Sequence, residues 1–318
     1  MKRITALLLI LALLTACAPA AAPAGGEYYS FTDSTGAVVT LREKPKKVAV
    51  LFSSFAEVWT LAGGNVDITV GEAVERGFAD KRAALVDGGA GKTVDTEALL
   101  AALPDLVIGS ADIPAQAEAC EAMKRAGIPA ALFRVDTFED YLNMLRVCTE
   151  ITGSEEAWQI YGVQQAQQIR HLKARAQALL ADGGSPKRIL FVRAGSSAAA
   201  TKAKRAPENF VCTMLGELGA YNIADDAAVL LDGLSLEHVM LRDPDYIFLS
   251  PMGDEAAAKA HIADLFSGAG WRDLTAVQTG SYTFLEKELF HFKPNARWAE
   301  AYRHLAEILY PEIDWYES

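Results

Sequence analysis

The sequence contains one segment twice. Residues 95–110 align without a gap on residues 235–250, and Glu, Pro, Asp and Ser recur at the same places 140 positions apart. Each copy predicts a short capped helix with a glutamate in its first turn, a Pro-Asp stop and a buried strand that ends in serine. A second, shorter repeat relates residues 45–50 to residues 186–191, at a spacing of 141 positions. Self-similarity of this kind predicts two related α/β halves.

Strand and helix signals alternate within each half. In the first half, strands are predicted at 48–52, 106–108 and 130–133, and helices at 55–62 and 113–126. In the second half, strands are predicted at 189–192, 246–249 and 281–285, and helices at 210–218 and 298–309. This alternation is typical of parallel sheets covered by helices. Segments 29–32 and 37–41 flank Asp33-Ser34-Thr35-Gly36 and predict a hairpin at the edge of the first lobe.

The longest helical pattern lies between the halves. Ser154 is its predicted cap, Glu155 and Glu156 occupy its first turn, and it runs to the breaker Asp182-Gly183-Gly184. One helix over this stretch would join the lobes stiffly. The predicted division is therefore an N-terminal lobe at 28–153, an interlobe helix at 154–182 and a C-terminal lobe at 183–318.

The first residues form a leader. Lys2 and Arg3 precede an apolar run at 4–14 that is too short to span a bilayer, and this run ends in Leu14-Thr15-Ala16-Cys17. The tetrad resembles a bacterial lipobox, which implies a signal peptide at 1–16, lipidation of Cys17 and a flexible tether at 17–27. The alternative is an ordinary secretory signal that ends near a cysteine. The mature protein is predicted to be extracytoplasmic and anchored to the cell membrane by its N-terminal lipid.

The composition excludes several classes of partner. The chain is 51% hydrophobic and 22% charged, which favours a folded protein, and its net charge of −11 argues against nucleic acid. Cys120, Cys148 and Cys212 lack metal-site spacing, and an odd number permits at most one disulfide, so buried free thiols are predicted. Five scattered histidines disfavour capture of a bare metal ion, and no cofactor is predicted.

Several short motifs occur in a characteristic order: 31–36 followed by 45–48, 95–97 with 103–108, 126–129, 218–224, and 235–237 with Pro244-Asp245. Over about residues 29–312, their order and spacing resemble a known family, the substrate-binding lipoproteins of ABC importers for iron-siderophores, haem and cobalamin. The resemblance implies an α/β fold of two Rossmann-like lobes with central parallel sheets joined by one long α-helix, which hold a ligand in the cleft between them.

The resemblance also implies partners. These are an ABC permease and its ATPase, a small-molecule ligand and the membrane through the lipid, and the protein is expected to be a monomer. Glu97 and Glu237 match the acids that dock on basic residues of the permease. The alternative for both is simple complementarity between a carboxylate and the dipole at a helix start.

Residues that follow the strands are the pocket candidates, because ligands bind beyond the carboxyl ends of strands in open α/β sheets. They are Ser53, Ser54, Phe55, Ser110, Asp112, Arg134, Arg193, Ser196, Ser197, Ser250, Met252 and Lys287. Any of the serines could instead cap a helix.

Clustered cations refine this prediction. One cationic cluster consists of Arg193, Lys202, Lys204 and Arg205. It suits an anionic ligand, such as a carboxylate- or catecholate-bearing iron chelate or the propionates of haem. The alternative is a solvated basic loop on the surface. Arg76 and Phe78 pair a guanidinium with an aromatic face that suits a flat conjugated ligand.

His291 precedes the final helix. It is predicted either to take an axial position on haem or to complete the packing of the second lobe.

An enzyme and a non-transport surface lipoprotein are the two alternative functional classes. An enzyme is disfavoured because the chain has no Gly-x-Gly-x-x-Gly after its first strand, no phosphate-binding Gly-x-x-x-x-Gly-Lys-Ser/Thr and no Gly-x-Ser-x-Gly elbow. A surface lipoprotein that acts only as an adhesin or scaffold would not need a duplicated cleft. Together, these observations predict a binding protein without covalent chemistry, and the resemblance implies that it captures an iron complex, haem or corrinoid.

Overall fold

The computed structural model describes residues 26–87, 93–226 and 235–316. The predicted signal peptide, Cys17 and residues 18–25 of the predicted tether lie outside these ranges. Within the ranges, no helix combines the length and apolar character that crossing a bilayer requires.

A hairpin precedes the first lobe, as predicted. Its strands are β1 (Tyr29–Thr32) and β2 (Val38–Leu41), which pair antiparallel. Asp33 is buried in the turn, where one carboxylate oxygen accepts hydrogen bonds from Thr35 and Ala37 and the other accepts from the Leu132 amide. The hairpin is thereby fixed to the first lobe.

The first lobe contains a parallel sheet covered by helices. Its strands are β3 (Val48–Val50), β4 (Ile68–Thr69), β5 (Ala84–Leu85), β6 (Leu106–Ser110) and β7 (Ala130–Phe133). Its helices are α1 (Ser53–Leu61), α2 (Gly71–Glu75), α3 (Thr96–Ala102), α4 (Pro114–Arg125) and α5 (Phe138–Thr152). The strand order is β5-β4-β3-β6-β7. The sequence pattern does not predict β4, β5, α2 and α5.

A helical segment joins the lobes. It begins as α6 (Glu155–Trp158), continues as π-helical turns over Gln159–Gln164 and ends as α7 (Gln165–Ala181). The sequence pattern predicts one uniform helix here. The π turns lie where the Trp158 ring packs over Gly162, at which a Cβ would come within 2.9 Å of the ring.

The second lobe repeats the layered design. Its strands are β8 (Arg188–Ala194), β9 (Lys202–Ala203), β10 (Tyr221–Asn222), β11 (Tyr246–Pro251) and β12 (Tyr282–Phe284). Its helices are α8 (Phe210–Glu217), α9 (Leu236–Arg242), α10 (Glu255–Ser267), α11 (Thr275–Gln278), α12 (Lys287–Phe290) and α13 (Trp298–Leu309). The parallel order is β10-β8-β11-β12, and β9 pairs antiparallel with β8. The predicted strands and helices of this half are confirmed to within two residues at each end.

The repeated segment forms the same unit in both lobes. Helices α3 and α9 end in left-handed residues, Leu103 with φ 48° and Asp243 with φ 40°, and each is followed by Pro-Asp and a central strand. The two copies differ at the start, because Asp95 accepts a capping bond from the Ala98 amide whereas the Ser235 hydroxyl pairs with His238. The duplication is thus a structural repeat.

One apolar cluster runs through both lobes. It includes Val50 and Ile108 from the first sheet, Phe191 and Phe248 from the second, and Trp298 at the start of α13. Side chains alternate between the two faces of a strand, so the neighbours of these residues enter two smaller clusters on the outer faces of the sheets. The lobes therefore share a core as well as a connecting helix.

The three cysteines in the described ranges are free and buried, as predicted. Burial raises the pKa of the Cys120 thiol to about 12 and also raises the pKa values of Cys148 and Cys212. In a Cys17→Ser background, we expect Ellman's reagent to label these thiols at least about a hundredfold more slowly in the folded protein than in guanidinium, because the thiolate is the reactive form. Native labelling at the rate of a peptide thiol would contradict this placement.

Candidate functional site

Arg76 is a first-lobe cation that lies at the junction with the second lobe. Arg76, directly after α2, donates hydrogen bonds to the hydroxyls of Ser53 at 3.2 Å and Ser54 at 3.5 Å. Its guanidinium lies 4.7 Å from the centroid of the Phe78 ring and 3.9 Å from that of Phe292. The Arg76–Phe78 contact predicted from the sequence is present, but the guanidinium itself covers that ring.

Ser53 and Ser54 are buried at the start of α1 and do not cap it, since Phe52 stands at the N-cap position. The Ser53 hydroxyl donates to Glu72 of α2. Phe55 was predicted to face the pocket, and the structure places it in the core instead. It is 2% exposed and packs edge-on against Phe52 and Phe133.

The other first-lobe candidates form a separate group. The buried Ser110 hydroxyl accepts a hydrogen bond from the Asp112 amide, which makes it part of a local turn. Arg134 and Asp112 are exposed and form an ion pair at 2.7 Å, which raises the pKa of Arg134. Their contacts are with each other and with the hairpin residue Ser34 rather than with Arg76.

The second lobe brings several predicted residues together around one cavity. Its volume is about 130 Å³, and its wall includes Arg193, Glu208, Asn209, Ser250, Met252 and His291. These residues come from the end of β8, the start of α8, β11 and the end of α12. The carboxyl ends of neighbouring parallel strands meet at one edge of the sheet, which is why residues distant in sequence converge here.

The loop after β8 divides the remaining candidates. Lys202 lies opposite Arg193 in the antiparallel β8–β9 pair, so both side chains emerge on the same face of the sheet, and Lys204 follows at the same parity. Arg205 lies 3.9 Å from Glu208 in a local ion pair. Ser196 and Ser197 are exposed in the loop itself.

His291 is half-buried in a positive environment. Burial lowers the pKa of its imidazole, and the charges of Lys287 and Arg193 lower it further, while Glu72 opposes them and Arg76 adds a smaller effect. Lys287 also lies 5.1 Å from the centroid of the Phe292 ring. Groups from both lobes therefore act on this one side chain.

Besides Arg76, residues that the sequence does not predict as site residues make direct contacts across the junction. The buried Asn295 side chain donates to the Ser54 carbonyl at 2.9 Å and to Glu57 at 2.7 Å, and burial raises the pKa of Glu57. Lys293 lies 3.5 Å from Asp136. A signal existed in Pro294-Asn295, because asparagine tolerates the left-handed φ of 45° found there.

Glu97 and Glu237 lie on the surface, in the first turns of α3 and α9. Each carboxylate is exposed, and neither forms an ion pair within the part of the chain that the structure describes. In the same ranges, no group of three or more His, Cys, Asp or Glu side chains is arranged to hold a metal ion.

Comparisons with solved structures give the same fold at low sequence identity. SirA of Staphylococcus aureus, complexed with staphyloferrin B, superposes with a TM-score of 0.65 at 17% identity over 89% of this chain and 98% of its own. The vitamin B12 binding protein BtuF of Vibrio cholerae superposes with a TM-score of 0.64 at 17% identity, over 84% of this chain and 97% of its own. A periplasmic heme binding protein from Pseudomonas aeruginosa superposes with a TM-score of 0.63 at 19% identity, over 85% of this chain and 94% of its own.

No curated protein sequence matches the chain. A sequence profile described as periplasmic binding protein matches residues 48–289, which is most of the chain and includes the central strands of both lobes and the wall of the cavity except Phe290 and His291. Two parallel-sheet lobes, a helical connection and polar residues converging at their junction agree with that match. The chain belongs to the periplasmic binding protein family.

Proposed function

We propose that this protein is the extracytoplasmic substrate-binding component of an ABC importer. It captures a ferric siderophore, haem or a corrinoid between its lobes and delivers it to the permease, whose ATPase drives transport. The observation that carries the proposal is the junction itself, where the charges of Arg193 in the second lobe and Arg76 in the first both act on His291 in the wall of the cavity. Relatives with this fold bind staphyloferrin B, vitamin B12 and heme, which supports the same range of ligands.

The division of the chain proposed here follows the sequence. Residues 1–16 are a signal peptide, Cys17 carries lipid, 17–27 form a tether, and the lobes at 28–153 and 183–318 flank the helix at 154–182. The exposed carboxylates of Glu97 and Glu237 dock on basic residues of the permease, one from each lobe. Two matched acids at equivalent places in the repeat would fix the orientation of the protein on its partner.

A ligand titration tests the proposal. The purified protein is titrated with ferric siderophores, haem and cyanocobalamin while the fluorescence of its five tryptophans is followed. We expect saturable quenching by at least one class with a Kd of about 1 μM or tighter. An absorption spectrum of protein isolated from its native host is a companion test, because haem and corrinoids are coloured. Unchanged tryptophan fluorescence with all three classes of ligand would exclude the proposed ligands.

A further inference from the structure

The cavity in the second lobe is too small for a whole chelate or macrocycle. Its volume of about 130 Å³ is well below the roughly 300–1,000 Å³ typical of a pocket that holds an entire small-molecule ligand. Its wall is largely polar and includes Arg193, Asn209 and Ser250. A cavity of this size and polarity suits one polar substituent of a larger ligand that lies in the junction.

The cations near this cavity have no carboxylate partner among the described residues. Arg193, Lys202, Lys204 and Lys287 form no ion pair there, although the chain carries a net charge of −11 and ion pairs are frequent elsewhere on its surface. Glu208, the acid in the cavity wall, lies with Arg205 instead. The second lobe therefore offers several positive charges that a ligand could neutralise.

Arg76 differs from these cations. It lies between two aromatic rings, donates to Ser53 and is 3.7 Å from Glu288, so its charge already has partners. An anionic group that entered the junction would meet less compensated positive charge on the second lobe than on the first. The charge distribution points to the cavity at Arg193 as the place for that group.

His291 lies between these charges. The charged groups acting on it are Lys287 at the start of α12, Arg193 from β8, Glu72 from α2 and Arg76 directly after α2. Glu208 lies in the wall of the same cavity. Positive groups outnumber negative ones, and they disfavour a proton on the imidazole. An anion in the cavity would reverse this balance because it stabilises the protonated ring.

We propose that this cavity holds one carboxylate arm of the ligand and that His291 takes up a proton from solvent when the arm binds. The inference rests on the proposed function and narrows its ligand to a carboxylate-bearing chelate or to haem through a propionate. Arg193 provides a charge-assisted hydrogen bond to the carboxylate, and protonated His291 provides a second positive donor.

The first experiment compares probes and variants at one pH. Ferric citrate and haemin carry carboxylates, whereas ferrioxamine B and cyanocobalamin carry no free carboxylate. We expect the first pair to contain the tighter ligand, and Arg193→Gln to weaken its binding by about tenfold to a hundredfold. Arg272→Gln, an exposed second-lobe variant away from the cavity, should bind as the wild type does. Thermal melts of both variants show whether they remain folded.

The second experiment measures how many protons the protein takes up when the ligand binds. When the pH is below the pKa of His291 in the ligand-free protein, the ring is charged with or without ligand, and the affinity does not depend on its proton. When the pH lies between the pKa values of the free and the ligand-bound protein, the ligand affinity falls by up to about tenfold per pH unit as the pH rises. Calorimetry near pH 7 in two buffers of different ionisation enthalpy should show wild type taking up as much as one proton more than His291→Gln. His171→Gln, an exposed variant on α7, should match the wild type.

The outcomes separate the two proposals. If no probe binds the wild type, the proposed ligand classes fail, and the carboxylate arm fails with them. If a probe without carboxylates binds best, or if Arg193→Gln binds as tightly as the wild type, the binding function stands and the carboxylate arm is wrong. Equal proton uptake by wild type and His291→Gln would overturn the role of the histidine.

Discussion

Replacing Glu97 and Glu237 together by lysine should abolish uptake of the ligand by whole cells while the purified protein keeps its ligand affinity. Both carboxylates are exposed and lie away from the cavity, so the change acts on the contact with the permease. Close charge pairs at protein interfaces couple by about 1.5–7 kcal/mol, and reversing both charges turns attraction into repulsion. The loss of favourable helix-dipole interactions costs only about 0.3–1 kcal/mol of stability at each site.

A matched control separates docking from general charge. Glu139 and Glu255 are also exposed acids in the first turns of helices, one in each lobe, and replacing both by lysine changes the net charge by the same amount. This control should support normal uptake. Uptake is measured with radiolabelled ligand in cells that lack the native protein. Normal uptake by the Glu97→Lys, Glu237→Lys variant would refute the docking role.

Trp298→Ala should produce the largest loss of stability among single core substitutions. The side chain is fully buried, and the rings of Phe138, Tyr141 and Phe210 lie 5.7–6.2 Å from it. Truncating a buried Trp to Ala typically costs about 3–5 kcal/mol, and at roughly 2–4 °C per kcal/mol the melting temperature should fall by about 6–20 °C. Circular dichroism during thermal and guanidinium unfolding measures both quantities.

Trp298→Phe provides the graded comparison. The Trp298 indole N–H is buried and has no hydrogen-bond partner among the described residues, and leaving such a group unpaired is costly. Phenylalanine keeps an aromatic ring and removes that N–H, so its loss of stability should be clearly smaller than that of alanine. A Trp298→Ala loss below about 1 kcal/mol would contradict the placement of this residue at the centre of the shared core.

The central strands and the repeat could be predicted because their signals are local. An apolar run preceded by Pro-Asp marks β6 in the first lobe, and the same pattern marks β11 in the second. Strands β4 and β5 have two residues each, which is too short for any periodic signal. Helix α5 was missed although Thr137 and Asp140 form a capping box, a signal that could have identified its start.

The candidate site could be predicted only in part. The rule that ligands bind beyond strand ends selected Arg193 and Ser250, which the structure brings together in one cavity. It also selected Phe55, because the rule does not say whether a side chain turns toward the junction or the core. The contact of Asn295 with the first lobe joins residues about 240 positions apart, and a single sequence contains no record of such pairing.

The apolar core shared by the two lobes limits how far the lobes can move when a ligand binds. A hinge motion wide enough to part the sheets would uncover Trp298, and wetting a large aromatic side chain of 150–250 Å² costs roughly 4–6 kcal/mol at 25 cal/mol/Å². A ligand bound with micromolar affinity releases only about 8 kcal/mol in total. A motion of that size would use about half or more of that free energy. Empty and loaded protein should therefore have nearly the same outline, and a permease must tell them apart at the rim of the junction, by the ligand and the side chains beside it.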